Sequence, residues 1–348
     1  MHDSSLSEPV GLKRQVRLAD YTTMRVGGPA EAFVAVSSAH ELAAACAWAA
    51  QQHLPVVVLG EGSNMVVDDH PLHLLALKLE LPGFEVLRED DQHVTLRVGG
   101  GEHWDDVVRR TVEQGWCGLE LLSMIPGTAG AAPVQNAGAY GAETADTLVE
   151  LEAYDMAAAT FVTFAKADCD FRYRSSRFRE ADTGRYVITS VTFTLRKGRP
   201  DAPTYQPVIR YLEERAIAAP TAGQIREAVM SIRGRILPDP AHVPNTGSFF
   251  KNPIVNAETY DRLVHEYADI SAFPYGENFK LSAGWLLDQC GFKGSEHFGL
   301  KIWDHHALVI TNPHHADFAH LMQLVELMRS TVKQRFGIEL EQEPLLIS

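Results

Sequence analysis

Residues 125–143 read IPGTAGAAPVQNAGAYGAE, and the fold depends on what that stretch is for. Ten of its nineteen residues are Gly or Ala, and Glu143 at its end is its only charge. So few bulky side chains leave the backbone free to lie directly against a flat, polar guest. Its glycines open backbone angles closed to other residues, at an entropic cost that some gain must offset. A flexible linker or a tight packing surface has the same composition. A linker, however, has no use for Pro126, Pro133, Gln135, Asn136 and Tyr140 set among the small residues. We therefore read the stretch as a ligand-lining segment.

A chain of 348 residues has room for two or three domains, at roughly 100–200 residues each. Its 45% hydrophobic and 22% charged content is ordinary for a globular protein. A formal net charge of -14 argues against nonspecific affinity for nucleic acid or an anionic membrane. An anionic ligand must then be held by local basic groups, which makes clustered arginines informative. Cys46, Cys117, Cys169 and Cys290 are scattered, without CxxC or metal-like spacing, so free thiols and no metal are expected. The N-terminus, MHDSSLSEPVGLKRQVRL, holds no apolar core of signal-peptide length. No apolar run approaches the ~20 residues that span a bilayer. The expectation is a cytoplasmic protein without membrane insertion.

Elsewhere helical and strand patterns mix. Residues 1–18 are polar and aperiodic and read as frayed or loosely attached. Residues 33–36 read as a strand, and Ser38 with Glu41 forms a possible capping box for a helix over 39–52. PVVVL, residues 55–59, is a β-branched run between Pro and Gly, hence a buried strand. That strand runs into Gly60-Glu61-Gly62-Ser63-Asn64, whose successive amides suit an anion such as a phosphate. A plain turn fits the same residues. Neither GxGxxG nor GxxxxGK[ST] occurs, so a Rossmann or P-loop reading is unsupported.

Residues 94–98 form another expected strand, ending in Gly99-Gly100-Gly101, and Trp104, Val107 and Val108 open a helix over 103–114. YVITSVTFTL, residues 186–195, is the clearest later strand. Thr221 and Gln224 open a helix through Arg233. The joint LPDPAHVPNTG, residues 237–247, marks a domain boundary. Leu321, Val325, Met328 and Val332 mark a long amphipathic helix over 318–336, before the tail LEQEPLLIS.

Three short stretches have chemistry to offer. FRYRSSRF, residues 171–178, clusters Arg172, Arg174 and Arg177 in an acidic protein, as a solvated strand edge or as an anion site. NTGSFFKNP, residues 245–253, sets Ser248 between a turn and two aromatics. A turn serine is the ordinary case, and neither GxSxG nor SxxK surrounds it. Glu341 and Glu343 would ordinarily be exposed tail carboxylates. His305-His306 and His314-His315 lack metal-site spacing and are assigned to hydrogen bonding.

Taken together, seven stretches resemble the UDP-N-acetylenolpyruvoylglucosamine reductase (MurB) family of bacterial peptidoglycan synthesis. They are TMRVGGPAE (23–31), LGEGSNMVV (59–67), the 125–143 stretch, FRYRSSRF, LPDP (237–240), GSFFKNP (247–253) and LSAGWLLDQCGFKG (281–294). With Glu343 they run in order over nearly the whole chain. The resemblance implies an α+β fold, a two-subdomain FAD-binding type of the PCMH, or vanillyl-alcohol-oxidase, kind with a smaller α/β substrate-binding domain. Residues 20–80 would be the first subdomain, 81–236 with the tail 335–348 the second, and 237–334 the substrate domain. Tyr205, in PTYQP, points to the family's longer type I form.

By the same resemblance, NADPH reduces FAD, hydride passes from flavin N5 to C3 of UDP-GlcNAc-enolpyruvate, and UDP-N-acetylmuramate results. Arg174, Ser248 and Glu343 match the catalytic residues, with Ser248 as proton donor to C2. The cofactor would be held by Gly60, Glu61, Gly62, Ser63, Asn64 and Met65, and by Ile125, Pro126, Gly127, Gly130, Ala131, Pro133, Gln135, Asn136, Gly138, Ala139, Tyr140 and Gly141. Tyr173, Tyr205, Arg235, Asn252 and Lys280 would contact substrate.

Two departures stand out. The family's lysine before the Leu-Pro of LPDP is missing from Arg233-Gly234-Arg235-Ile236, where Arg235 is the substitute. Pro344 replaces an aliphatic residue after the glutamate, which bears on the choice between Glu341 and Glu343. An FAD-dependent oxidase of the same fold and a non-catalytic nucleotide-binding protein are the competing readings. Loss of GSFFKNP or of the terminal glutamate would favour the oxidase, and both are present.

Overall fold

The computed structural model describes residues 7–348, so the beginning of the expected frayed segment, residues 1–6, lies outside the described residues. The chain divides into two compact units. Residues up to 16, 30–61 and 73–233 make one, and 17–29, 62–72 and 234–348 the other. No helix among the described residues is long and apolar enough to cross a membrane.

Two larger sheets build the first unit. One orders its strands Lys13–Arg17, Pro29–Val36, Leu72–Leu79 and Val56–Leu59, the last two parallel with Val56 opposite Leu75. Helix α1, Ala39–Gln51, begins where Ser38 Oγ accepts from the Glu41 amide at 3.2 Å. Glu41 reaches back to the Ser37 amide at 2.7 Å, one residue earlier than a capping box would place it. Leu42, Ala45, Trp48 and Ala49 of α1 pack on Val34, Val36, Leu75 and Leu77. Each such large apolar side chain contributes roughly 1.5–3 kcal/mol on burial.

The other sheet runs Thr160–Ala165, Leu148–Asp155, Tyr186–Lys197, His93–Gly99 and Phe84–Glu89, all antiparallel. Helix α2, Trp104–Glu113, buries Trp104, Val107 and Val108 against Leu96 and Phe193 of this sheet. Helix α3, Ala222–Ile236, opens with the reciprocal cap anticipated from its sequence. The Gln224 amide donates to Thr221 Oγ1 at 3.2 Å, and the Thr221 amide to Gln224 Oε1 at 2.9 Å.

The second unit holds a four-stranded sheet, Asn245–Ser248, Val309–Thr311, Leu300–Ile302 and Glu296–His297, and a three-stranded one, Ile254–Val255, Asn278–Leu281 and Ala272–Tyr275. Helix α4, Phe318–Phe336, is capped by Asp317, whose side chain accepts from the His320 amide, and stops at left-handed Gly337. Its stripe of Leu321, Leu324, Val325, Met328 and Val332 joins Phe249, Phe250 and Leu286 in one core.

Two expectations differ from what forms. Residues 13–17 are a strand rather than a frayed arm, and Leu18 is fully buried. That strand lies at a sheet edge with nearly every side chain exposed, so no polar–apolar alternation marks it. The tail, expected with the second FAD subdomain, belongs to the second unit, because Leu345–Ile347 pairs parallel with Met65–Val67. The four cysteines are free thiols, and burial pushes that of Cys46 up to about 12.

Candidate active site

The 125–143 stretch is laid down on the Gly99-Gly100-Gly101 loop. The Gly130 amide donates to the Gly100 carbonyl and the Ala129 amide to that of Glu102, both at 2.9 Å. A Cβ on Gly130 would sit 2.8 Å from the Ile188 carbonyl oxygen, so the two backbones meet at a distance only glycine permits. The segment ends in a short hairpin pairing Gly138–Ala139 with Ala142–Glu143. Pro126, Ala131 and Gly141 are exposed, and Ile125, Gly138, Ala139 and Tyr140 half-buried, which leaves a run of small residues open on one side. Gly127, Gly130 and Pro133 are buried behind them.

The loop after Val56–Leu59 abuts this wall. A Cβ on Gly60 would lie 2.9 Å from Thr128 Oγ1, and Lys78 Nζ donates to the Gly60 carbonyl at 2.5 Å. Glu61 turns its carboxylate to the Gly127 amide, at 2.5 Å, and to the His103 ring. The Glu61 side chain is thus spent on protein, and any part the residue takes in holding a cofactor falls to its backbone amide. A carboxylate facing a phosphate would repel it, whereas here it ties loop to wall.

From Gly62 the loop belongs to the second unit. Gly62 is left-handed, and a Cβ on it would collide with the Tyr21 carbonyl oxygen. Asn64 Nδ2 donates to the Glu343 carbonyl at 3.4 Å, while Met65 is buried in the strand paired with Leu345. Ser63 and Asn64 are half-buried.

FRYRSSRF and the Arg179 that follows it dock on the wall between Val134 and Gly138. Ser176 Oγ donates to the Val134 carbonyl at 2.6 Å, Arg179 Nη1 to Gln135 Oε1 at 3.2 Å, and Arg174 Nη2 to the Gly138 carbonyl at 2.5 Å. Asn136 Nδ2 returns a bond to the Arg172 carbonyl at 3.3 Å. Asn136 is 1% exposed, so its side chain faces protein and any part it takes in holding a cofactor falls to its backbone. Arg177, one of the three clustered arginines, instead pairs with Asp182 at 2.6 Å.

In the second unit, the GSFFKNP segment and the tail run side by side. The Glu343 amide donates to the Phe249 carbonyl at 2.8 Å, and the Lys251 amide to that of Glu341 at 2.9 Å. Ser248 and Glu343 are both half-buried, while Phe249 and Phe250 anchor the segment in the core. Glu341 differs: its side chain, 70% exposed, is paired with buried Lys251. Among the expected substrate contacts, Asn252 Oδ1 accepts from the Ala283 amide at 2.9 Å. Lys280 lies 5.7 Å from the Tyr275 ring, and Arg235 is exposed.

In the first unit, Tyr205 packs edge-on against Tyr140 at 5.2 Å, and Tyr173 lies under the Arg174 guanidinium. Three charged residues escaped the sequence reading. Arg226, 8% exposed, grips Asp105 through two bonds of 2.6 and 2.8 Å. Burial alone would push the Asp105 carboxyl up. Arg226 and the Met124 amide outweigh it and hold the carboxyl low. Arg233 donates to the Tyr140 hydroxyl, and burial pushes its guanidinium below the usual arginine range. Their one sequence signal is spacing, two arginines seven apart on one face of α3. No group of residues that could hold a metal ion occurs among the described residues.

Comparison with known proteins agrees with this architecture. The family model for the UDP-N-acetylenolpyruvoylglucosamine reductase C-terminal domain matches residues 239–347, and that for an FAD binding domain matches residues 30–165. The chain is 43% identical to the UDP-N-acetylenolpyruvoylglucosamine reductase of Ralstonia nicotianae, over 95% of this chain and 97% of that one. It is 38% identical to that of Pseudomonas putida, over 96% and 98%. The crystal structure of the Thermus caldophilus enzyme superposes with a TM-score of 0.69 at 24% identity, covering 97% of this chain and 99% of that one.

Proposed function

We propose that this chain, which belongs to the UDP-N-acetylenolpyruvoylglucosamine reductase family, reduces UDP-GlcNAc-enolpyruvate to UDP-N-acetylmuramate in peptidoglycan synthesis. It would do so in the cytoplasm, as a monomer, with FAD bound and NADPH as the electron source. The observation that most supports this reading is the Glu343–Phe249 hydrogen bond, which sets the residue matched to the family's glutamate beside the strand end carrying Ser248.

The wall residues fit FAD. From Pro126 to Gly141 the wall carries no charge and its exposed positions are Pro126, Ala131 and Gly141, while Gly60 approaches Thr128 so closely that loop and wall form one surface. Bound FAD supplies the hydride that adds to C3 of the enolpyruvyl group. Negative charge then collects on C2 of the substrate and on its carboxylate, and the chain's own groups must meet it. Arg174 is permanently charged, and its guanidinium fork suits a carboxylate. Glu343 contributes as the neutral acid, because an ionised carboxylate repels the developing charge. Ser248 gives its hydroxyl proton to C2, where proximity to a strongly basic carbon compensates for a weak acid.

The test is consumption of NADPH by the purified, FAD-loaded protein on addition of UDP-GlcNAc-enolpyruvate. UDP-N-acetylmuramate, two mass units above the substrate, is the expected product. NADPH loss that ignores the substrate would refute the reading.

A further inference from the structure

We propose that Asn136 is a positioning residue for Arg174, holding the turn from which the guanidinium reaches. Residues 172–175 close a tight hairpin through the Arg172 amide to the Ser175 carbonyl at 3.0 Å and the Ser175 amide to the Arg172 carbonyl at 3.1 Å. Tyr173 and Arg174 form its tip, and Arg174 is left-handed with φ 52°, a conformation that a long side chain adopts only when its surroundings impose it.

Asn136 supplies part of that imposition. Its two amide hydrogens are committed to Glu143 Oε2, at 2.7 Å, and to the Arg172 carbonyl, at 3.3 Å. Its Oδ1 accepts from the Ala145 amide at 3.0 Å, and its own φ of 46° lies in the left-handed region. One buried side chain therefore joins the foot of the Arg174 hairpin to Glu143. Between the two passes Gly138, whose carbonyl receives Arg174 Nη2 at 2.5 Å. The fit there is tight. A Cβ on Gly138 would lie 2.9 Å from Glu143 Cγ and 3.1 Å from Arg174 Nη1. Removing the Asn136 amide leaves the Arg172 carbonyl to the Ser175 amide alone and the Glu143 carboxylate to the Asp146 amide. The hairpin can then turn and carry the guanidinium off line, while the helices and sheets around it keep their cores.

The proposal rests on the catalytic role given above to Arg174, and its test separates the two. In FAD-loaded Asn136→Ala, anaerobic stopped-flow measures flavin reduction by NADPH and flavin reoxidation by UDP-GlcNAc-enolpyruvate. Reoxidation should slow by about 100-fold, the cost of a displacement near 1 Å, and by a larger factor than any loss in reduction. Combined with Arg174→Ala, the Asn136 change should cost nothing further, because it acts through the arginine. Asn136→Gly, which suits the left-handed backbone and loses the side chain, runs the same cycle if Asn136→Ala does not fold with FAD. Unchanged reoxidation, or losses that add across the double variant, would overturn the proposal and leave the reductase reading standing. If Arg174→Ala alone left reoxidation intact, the arginine's role and this proposal would fall together.

Discussion

The backbone amide of Glu343 donates to the carbonyl of Phe249 at 2.8 Å, one residue past Ser248. Two residues from the far ends of the second unit's last segment, nearly a hundred positions apart in sequence, are thereby held in fixed register. Because the bond is between backbones, side-chain substitutions at Ser248 and Glu343 leave it intact, and their effects can be read as chemistry.

Ser248→Ala should spare flavin reduction by NADPH and slow flavin reoxidation by the enolpyruvyl substrate at least ~100-fold, the low end of a proton-transfer contribution. Stopped-flow traces with unchanged reoxidation would remove Ser248 from the proton-donor role.

Glu343→Gln and Glu341→Gln should behave oppositely. The first should slow reoxidation by roughly 100-fold or more through loss of an acidic proton. The second removes the ion-pair partner of buried Lys251 and should cost stability while leaving reoxidation near wild type. Equal losses in kcat for both variants would contradict the assignment of Glu343 over Glu341.

Gly60→Ala places a methyl group 2.9 Å from Thr128 Oγ1 and 3.3 Å from its Cγ2. Loop and wall must part, so FAD retention, read from flavin absorbance per protein after gel filtration, should fall. Thr128→Ala removes both clashing atoms and should restore retention in the double variant. A double variant as empty as Gly60→Ala alone would show that the loss has another origin.

Acid should remove one identifiable share of stability. Arg185, with the Ala157 and Ala158 amides, holds the Asp155 carboxyl down from 3.8 to about 2. A depressed folded-state value means that its contribution is complete above pH 3.8 and disappears as pH falls toward 2. Asp155→Asn should therefore lower the melting temperature at neutral pH and flatten its decline through that acid window. Parallel acid profiles for the variant and wild type would exclude the contribution.

The elements with local signals were legible in sequence. The α4 stripe needed only helical periodicity, and the Thr221–Gln224 cap only two residues at the right spacing. The candidate site was legible as stretches, not as contacts. Asn136 stands among glycines and alanines and reads as ligand-lining, yet it spends its side chain on protein. A polar residue in such a run looks the same whichever way it turns. Spacing alone marked Arg226, and its pairing could not be read because its partner, Asp105, is more than a hundred residues away. The passage of the 60–65 loop from one unit to the other depends on pairing with residues 341–347, which no local pattern announces.

The most direct single measurement is an anaerobic titration of the wild-type protein followed by its flavin absorbance. NADPH should bleach the flavin, and UDP-GlcNAc-enolpyruvate should then restore the oxidised spectrum in the absence of oxygen, one equivalent for each flavin. A flavin that stays bleached until air is admitted would contradict the account and mark an oxidase. A colourless protein that cannot be reconstituted with FAD would contradict both.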